Sequence, residues 1–398
     1  MGSTRQHVFL VPGFFGFADL GEILYFAHVH RYLPLACAEL GLEVDCHPVA
    51  TYPTASLRRR AERLLEQVAR IAGEDDAPIH LVGHSSGGLD ARLLVTPQSS
   101  LRGGIDTERF AARVRSVVMI STPNHGTPVA SFFTSIFGQK LLQLLSLGTI
   151  YALWFGRLPS SALLRLGAAF ARTRGFVSER TTLVDQLFAQ LLEDFGPERR
   201  QALESFFVEV GQDQALLPQL TPEGVDALNA GTGDRPGVRY GSVISYARPP
   251  GIITSAAVGL SPYGQTTHAL FYALHRVASG QPAAQLPTLT ESQADVLLQT
   301  YGMIPDSSAN DGVVPTLSQI WGELIHATTA DHLDLLGHFG QAGQEHPHVD
   351  WLSSGAGFNR ARFEALWTDV ARFIAGRPPL ARPQGSRAQH LLHLFRRG

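Results

Sequence analysis

The chain has 398 residues, is 44% hydrophobic and carries a formal net charge of −3. That length can bury one large core or two ordinary ones, and the weak charge gives no reason to expect a nucleic-acid partner. No uninterrupted apolar run reaches the roughly 18 residues of a membrane span, and two cysteines, Cys37 and Cys46, cannot staple a domain of this size; they are either one bridge or two free thiols.

The N-terminus, MGSTRQ, lacks the charged, apolar and small-residue succession of a signal peptide. The chain as written is therefore expected to be cytoplasmic or already processed. His7 to Val11 is a short apolar run ended by Pro12-Gly13, which predicts a strand and a tight turn. Leu42 to Val49 is strand-like. Ser56 to Ala72 is predicted helical, because Leu57, Ala61, Leu64, Leu65, Val68, Ile71 and Ala72 form one stripe with Arg and Glu opposite. Ile79 to Gly83 predicts a strand, Ser86 to Val95 a helix, and Val114 to Ile120 a strand. Apolar strands alternating with amphipathic helices predict a parallel sheet covered on both faces.

The pattern breaks at Ala130. From there to about Leu217 the period is helical and the content very apolar, with Phe132, Phe133, Ile136, Phe137, Leu141 and Leu142 opening the run. Such a stretch must cover or dock on something apolar, either as a movable lid or as the core of a plain helical cap. Sheet structure resumes at GVRYGSVISYA, 237–247, followed by a Gly/Pro-rich insertion to about 287. Arg360 to Ile374 predicts an amphipathic helix, and the Pro/Arg-rich tail beyond Gly376 has no acid and is expected to be disordered. The implied division is a core part at 1–130, a helical lid or cap at 131–235, a second core part at 236–376 that contains the insertion, and the tail at 377–398.

The stretch IHLVGHSSGGLDAR, 79–92, sets Gly-x-Ser-x-Gly around Ser85, after a predicted strand and before a predicted helix. In that position the glycines let the chain turn hard and leave the Ser85 hydroxyl at an exposed apex above a helix N-terminus. The same residues also read as a plain helix cap, with Ser85 or Ser86 at the N-cap. A nucleophilic serine needs a base, and the base an orienting carboxylate, expected later in the chain in the order acid, histidine. Asp311, in SSANDGVVPT, and His332, in TTADHLDLLGH, fit that order; His326, His338, His346 and His348 compete for the second role. The developing oxyanion requires two backbone N–H groups. Ser86, next to the serine, supplies one, and Phe14, in LVPGFFGF, is the candidate for the other, with Phe14, Phe15 and Phe17 expected to line an apolar pocket.

These segments together resemble bacterial triacylglycerol lipases of the α/β-hydrolase fold. VFLVPGFFGF is similar to the family's first strand and oxyanion loop, with Pro12-Gly13 where the family usually has His-Gly. HLVGHSSGGLDAR resembles its serine turn, VVMISTPNHGTPVASFF its approach to the lid, ANDGVVPTLSQIWG and ADHLDLLG its acid and histidine segments, and FNRARFEALWTDVARFI its closing helix. The resemblance implies an α/β-hydrolase fold, with a mainly parallel sheet and a large helical lid or cap insertion. It implies a carboxylic ester hydrolase with Ser85 as nucleophile, Asp311 as orienting acid, His332 as base, and Phe14 and Ser86 as oxyanion donors. No cofactor is implied for the chemistry. The substrate would be a lipid or other ester, met at a lipid–water interface. A short-chain esterase, a phospholipase or an acyltransferase would use the same three residues, and a silent lipid-binding fold is the reading from another class. Family members often hold a structural calcium near the histidine; by resemblance its ligands would include Asp295 and Asp334, with His338 where a further oxygen ligand is expected.

Overall fold

The computed structural model describes residues 5–14, 19–20, 23–97, 101, 104–155, 158–159, 161–162, 177–339 and 353–379. Its strands are β1 (Gln6–Val11), β2 (Asp19–Leu20), β3 (Ile23–Leu24), β4 (Val44–Pro48), β5 (Ile79–His84), β6 (Val114–Ile120), β7 (Arg239–Tyr246) and β8 (Glu323–Thr329). Six of them form one sheet in the order β4-β1-β5-β6-β7-β8, every neighbouring pair parallel, while β2 and β3 pair as a small antiparallel ribbon. Parallel order leaves all the C-terminal strand ends on one edge, where the connecting loops collect.

Strand alternation sorts the apolar residues onto two faces. Phe9, Val11, Leu81, Val117 and Met119 pack with Leu64, Leu65 and Val68 of the helix Leu57–Ala72 and with Ala91 and Leu94 of the helix Ser86–Val95. Val8, Leu10, Val82, Val118 and Ile120 turn the other way, toward Val29 and Leu33 of the helix Val29–Glu39 and Trp367 and Val370 of the helix Arg360–Ile374. The predicted stripe of Leu57–Ala72 is the buried one, apart from partly buried Ile71, and the Ser56 side chain caps that helix by accepting from the Arg59 N–H. Each fully buried leucine in these layers contributes roughly 1.5–3 kcal/mol.

Between β6 and β7 the chain leaves the sheet for more than a hundred residues. The helix Ile136–Phe155 buries Leu141, Leu144, Leu147 and Ile150 against Val184, Leu187 and Leu191 of Val177–Glu193 and Leu203 and Phe207 of Pro197–Gln212. These residues are continuous with the core cluster on one face of the sheet. The apolar run that begins at Ala130 is therefore mostly turned inward, and it roofs the sheet's loop edge.

Several local features fill in what the sequence leaves open. The Gly/Pro-rich insertion is mainly helical, as Ile252–Val258 and Pro262–Ala278. Its helix breakers sit at ends, with Gly251 before the first helix, Gly259 at φ 84° after it and Pro262 opening the second. Cys37 and Cys46 are free thiols, not a bridge, and burial pushes the Cys37 thiol up to about 12. The predicted tail lies outside the described residues from 380 onward. Among the described residues no helix is long and apolar enough to cross a membrane.

His80, inside β5, is buried between the Ser116 hydroxyl at 2.7 Å and the Gln6 side-chain oxygen at 2.7 Å. Burial, with Arg115 adding to it, lowers its pKa to about 4. The unfolded chain takes up a proton below about 6.5 that folded His80 resists, so this contribution is complete above pH 6.5 and is lost as pH falls toward 4, worth about 3 kcal/mol. Urea titrations at pH 7 and pH 4 are expected to show the wild type losing about that much more stability than His80→Gln; parallel losses would contradict it.

Candidate active site

β5 ends at His84 and the next helix begins at Ser86, so Ser85 alone makes the turn. Its backbone stands at φ 53°, ψ −132°; among the described non-glycine residues only Ser121 also has positive φ. Such a conformation costs on the order of 1–3 kcal/mol and persists only where the surroundings enforce it. Two close approaches do so. A Cβ on Gly87 would lie 2.4 Å from the Val11 carbonyl oxygen, so the helix start is pressed onto the end of β1. A Cβ on Gly13 would lie 2.8 Å from the Ser85 Cβ, so the loop after β1 abuts the serine. Ser86 opens a helix, and its N–H belongs to the first turn, whose donors have no intrahelical acceptor.

The structure brings the three expected side chains together from loops at the same sheet edge. His332 Nε2 lies 3.0 Å from Ser85 Oγ, and His332 Nδ1 lies 2.8 Å from Asp311 Oδ2. All three are buried. Asp311 Oδ1 accepts from the N–H groups of Val313 and Val314 at 2.9 and 2.7 Å, while Oδ2 also accepts from Ser245 Oγ at 2.8 Å and Gln319 Nε2 at 3.2 Å. Asp311 thus meets four donors besides the histidine. A carboxylate only accepts, so the His332 ring nitrogen facing it carries hydrogen and the other faces Ser85 as an acceptor.

The histidine loop is held locally. Asp331 Oδ1 accepts from the N–H groups of Leu333 and Asp334, Asp334 Oδ2 accepts from the Asp331 N–H, and the His332 N–H donates to the Asp311 carbonyl at 3.1 Å. Of the competing histidines, His326 sits in β8 with its Nδ1 2.8 Å from Asp369. His338 lies just past the histidine loop, and His346 and His348 lie outside the described residues. Asp295 and Asp334 are the residues that the resemblance names as calcium ligands. Asp295 lies on the helix Glu291–Tyr301, the Asp334 carboxylate is used as above, and no three His, Cys, Asp or Glu side chains among the described residues stand where they would hold a metal.

Three parts of the site were not read from the sequence. The first joins the loop after β1 to the histidine. The Gly13 N–H donates to Tyr25 Oη at 2.9 Å, Tyr25 Oη lies 2.7 Å from His84 Nδ1, and His84 Nε2 lies 2.9 Å from the His332 carbonyl. The carbonyl only accepts, so Nε2 carries the hydrogen and Tyr25 donates to Nδ1. Burial, and then the neighbouring His332, hold the His84 pKa well below its ordinary value, which keeps the ring neutral. The second part is Arg60, fully buried on its helix. It donates to Asp90 from Nε and Nη2, and from Nη2 to the carbonyls of Pro12 and Gly13 at 3.1 Å each. It thus orders the loop that carries Phe14. The third is Gln319, whose amide reaches Asp311 while its oxygen accepts from the Ser245 N–H at 2.8 Å.

Above Ser85 and His332 opens an apolar cavity lined by Phe14, Phe133, Leu142, Leu145, Leu217 and Leu274, with Thr127 and Thr149 among its few polar residues. Its walls come from the loop after β1, the roofing helices and the insertion. Such a space suits an apolar chain of an extended ligand.

Removing one partner of the Arg60–Asp90 pair leaves a buried charge alone, at a typical cost of about 3–5 kcal/mol. Arg60→Met is expected to lower stability in urea by that order, and Arg60→Met with Asp90→Leu to recover a substantial part. A loss below about 1 kcal/mol for the single variant would contradict the pair's role.

No protein-family model matches the chain. A triacylglycerol lipase from Pseudomonas fragi is 30% identical over 129 residues, which is 32% of this chain and 38% of that lipase; the chain thus aligns with well under half of that relative's length. Among solved structures, the Staphylococcus hyicus lipase superposes with a TM-score of 0.50 at 14% identity, covering 94% of this chain and 96% of that one. EstA from Clostridium botulinum gives 0.48 at 18% identity, over 96% and 90%. With its parallel sheet, its sharp turn at Ser85 and its helical insertion, the chain has the α/β-hydrolase fold and resembles the bacterial lipases.

Proposed function

We propose that the chain is a carboxylic ester hydrolase, and specifically a lipase acting on acylglycerols through Ser85, His332 and Asp311. The observation that carries this reading is the run of contacts from Ser85 Oγ to His332 Nε2 at 3.0 Å and from His332 Nδ1 to Asp311 Oδ2 at 2.8 Å, at the base of an apolar cavity. In this reading His332 Nε2 takes the hydroxyl proton as Ser85 Oγ attacks the ester carbonyl carbon. The carbonyl π electrons move to oxygen, and the oxyanion is met by the N–H groups of Phe14 and Ser86. As the tetrahedral intermediate collapses, the bond to the alcohol oxygen breaks and His332 returns the proton to it. Water, deprotonated by the same ring, then attacks the acyl-enzyme, and the fatty acid leaves as Ser85 regains its proton. Asp311 keeps its charge throughout and steadies the imidazolium.

The apolar lining supports a fatty acyl chain over acetate, and the name of the Pseudomonas fragi relative supports acylglycerols as the substrate class. The helices from Ile136 to Gln212 act as the lid: they roof the cavity and contribute Leu142, Leu145 and Thr149 to its wall. The neutral His84 and the Arg60 side chain position the histidine and the oxyanion loop and do not touch the reacting atoms.

The reading is tested with a series of p-nitrophenyl esters from acetate to palmitate. Ser85→Ala is expected to lose at least about 10⁴-fold in kcat, and Asp311→Asn about 10³–10⁴-fold with little change in KM. Long chains should be preferred, with a rise in rate where the substrate begins to form micelles. No turnover by folded wild type on any chain length, or Ser85→Ala retaining a tenth of the activity, would overturn it. A clear preference for acetate or butyrate would overturn the lipase assignment and leave a short-chain esterase.

A further inference from the structure

The helix Ile252–Val258 is packed with its polarity reversed. Its polar residues face the protein: Thr254 is buried, accepts from the Gly251 N–H at 2.8 Å and lies 3.2 Å from His268 Nε2. Ser255 Oγ donates to the Gln265 side-chain oxygen at 2.9 Å, and the Gln265 amide donates back to the carbonyls of Ser255 and Gly259. The apolar residues face out. Ile252 is 91% exposed, Ile253 73%, and Leu260, in the turn that follows, 94%. Single exposed apolar residues are common on protein surfaces, but three large ones this exposed within nine positions, on an element whose inner face is satisfied by hydrogen bonds, require an apolar neighbour.

The charges around the patch indicate what that neighbour is. From Arg235 to Thr290 the chain has no Asp or Glu, and between Arg239 and Arg276 the only charged residue is Arg248, which is exposed and four positions before Ile252. The segment that carries the patch thus brings one cation and no acid of its own to phosphate-bearing headgroups, whereas the net charge of the whole chain is negative. The position in the fold fits as well. The segment leaves the end of β7 on the loop edge of the sheet, and its second helix, Pro262–Ala278, places Leu274 in the cavity wall. Tyr263 Oη accepts from the Leu158 N–H at 3.2 Å, which ties the insertion to the roof.

We propose that Ile252, Ile253 and Leu260 form a docking surface that inserts into a phospholipid–water interface, with Arg248 at the headgroup phosphates, as a membrane contact separate from the roofing helices. The short helix lies in the interfacial plane, its outer side chains among the upper acyl groups. The surface deepens the lipase reading, because it would seat the cavity beside its substrate phase, but binding through it does not depend on turnover.

The test uses the full chain in the Ser85→Ala background and sedimentation with vesicles of phosphatidylcholine alone or mixed with phosphatidylglycerol. The parent is expected to partition onto both, more strongly onto the anionic mixture. Ile252→Ser with Ile253→Ser and Leu260→Ser should bind both at least about tenfold more weakly, and Arg248→Ala should lose the excess on the anionic vesicles and its salt dependence. In the active background the triple variant should keep its rate on a soluble p-nitrophenyl ester, which establishes that it folds. Equal partition by parent and triple variant overturns the proposal. So does a wild-type dimer that the triple variant breaks while vesicle binding is unchanged, since the patch would then join two copies of the chain. If the soluble ester is not hydrolysed by the active chain, the ester-hydrolase reading fails while the vesicle result still decides the docking surface, with circular dichroism as the check of folding.

Discussion

The turn at Ser85 is the constraint around which the site is organised. An L-residue at φ 53°, ψ −132° is unfavourable, and here it is held because the flanking glycine Gly87 lets the following helix press against the end of β1, while Gly13 brings the neighbouring loop against the serine itself. The same compression that lifts the hydroxyl toward His332 brings the start of that helix and the loop carrying Phe14 to one place. Relaxing the turn would therefore separate the hydroxyl from its base and from both backbone donors at once. The strain is offset by the core on either side of β1 and β5, whose residues are almost wholly buried.

Around this turn the interior is polar in a controlled way. Arg60 meets Asp90 and two loop carbonyls, His84 bridges Tyr25 and the His332 backbone, and Asp311 accepts from two backbone amides, a serine, a glutamine and the histidine. In a low-dielectric interior such networks are firm when each member is satisfied and costly when one is removed. They tie four separate parts of the chain (the loop after β1, the turn at Ser85, the Asp311 loop and the His332 loop) into one assembly. The ring of His84 takes part only because burial keeps it neutral; as a cation it would present a hydrogen to Tyr25 in place of the lone pair that Tyr25 requires.

Much of the framework was legible in the chain. The strand at Val114–Ile120 and the helices Ser86–Val95 and Arg360–Ile374 were read to the residue, because period, caps and breakers agree there. Ser85, Asp311 and His332 were read from type, order and local setting, and they meet in space. The helix Val29–Glu39 was not read, since Pro34 in its interior mimics a break and its packing on β4 and on Arg360–Ile374 is a tertiary matter. The helices of the Gly/Pro-rich insertion are not legible in the sequence, since the position of each breaker relative to a helix end is a property of the folded chain. Arg60, His84 and Gln319 were invisible for another reason. Nothing in local sequence says that an arginine in an Arg/Glu-rich helix will be wholly buried, or that a glutamine 74 residues from its serine partner will meet it. The calcium expectation rests on resemblance alone; within the fold the carboxylate of Asp334 accepts from the Asp331 N–H in the loop that holds His332.

The most direct test of the Ser85 centre is covalent trapping. In a p-nitrophenyl alkylphosphonate, an activated serine displaces p-nitrophenolate from phosphorus and forms a stable phosphonyl ester, so one equivalent of p-nitrophenol is released per active chain. The expected result is stoichiometric release, an intact mass raised by one phosphonyl group, and the label confined to Ser85 in the tryptic peptide Ile71–Arg92. His332→Ala, confirmed as folded, should react orders of magnitude more slowly. Labelling at another residue, or an unchanged rate in His332→Ala, would contradict an acyl-transfer centre built on Ser85.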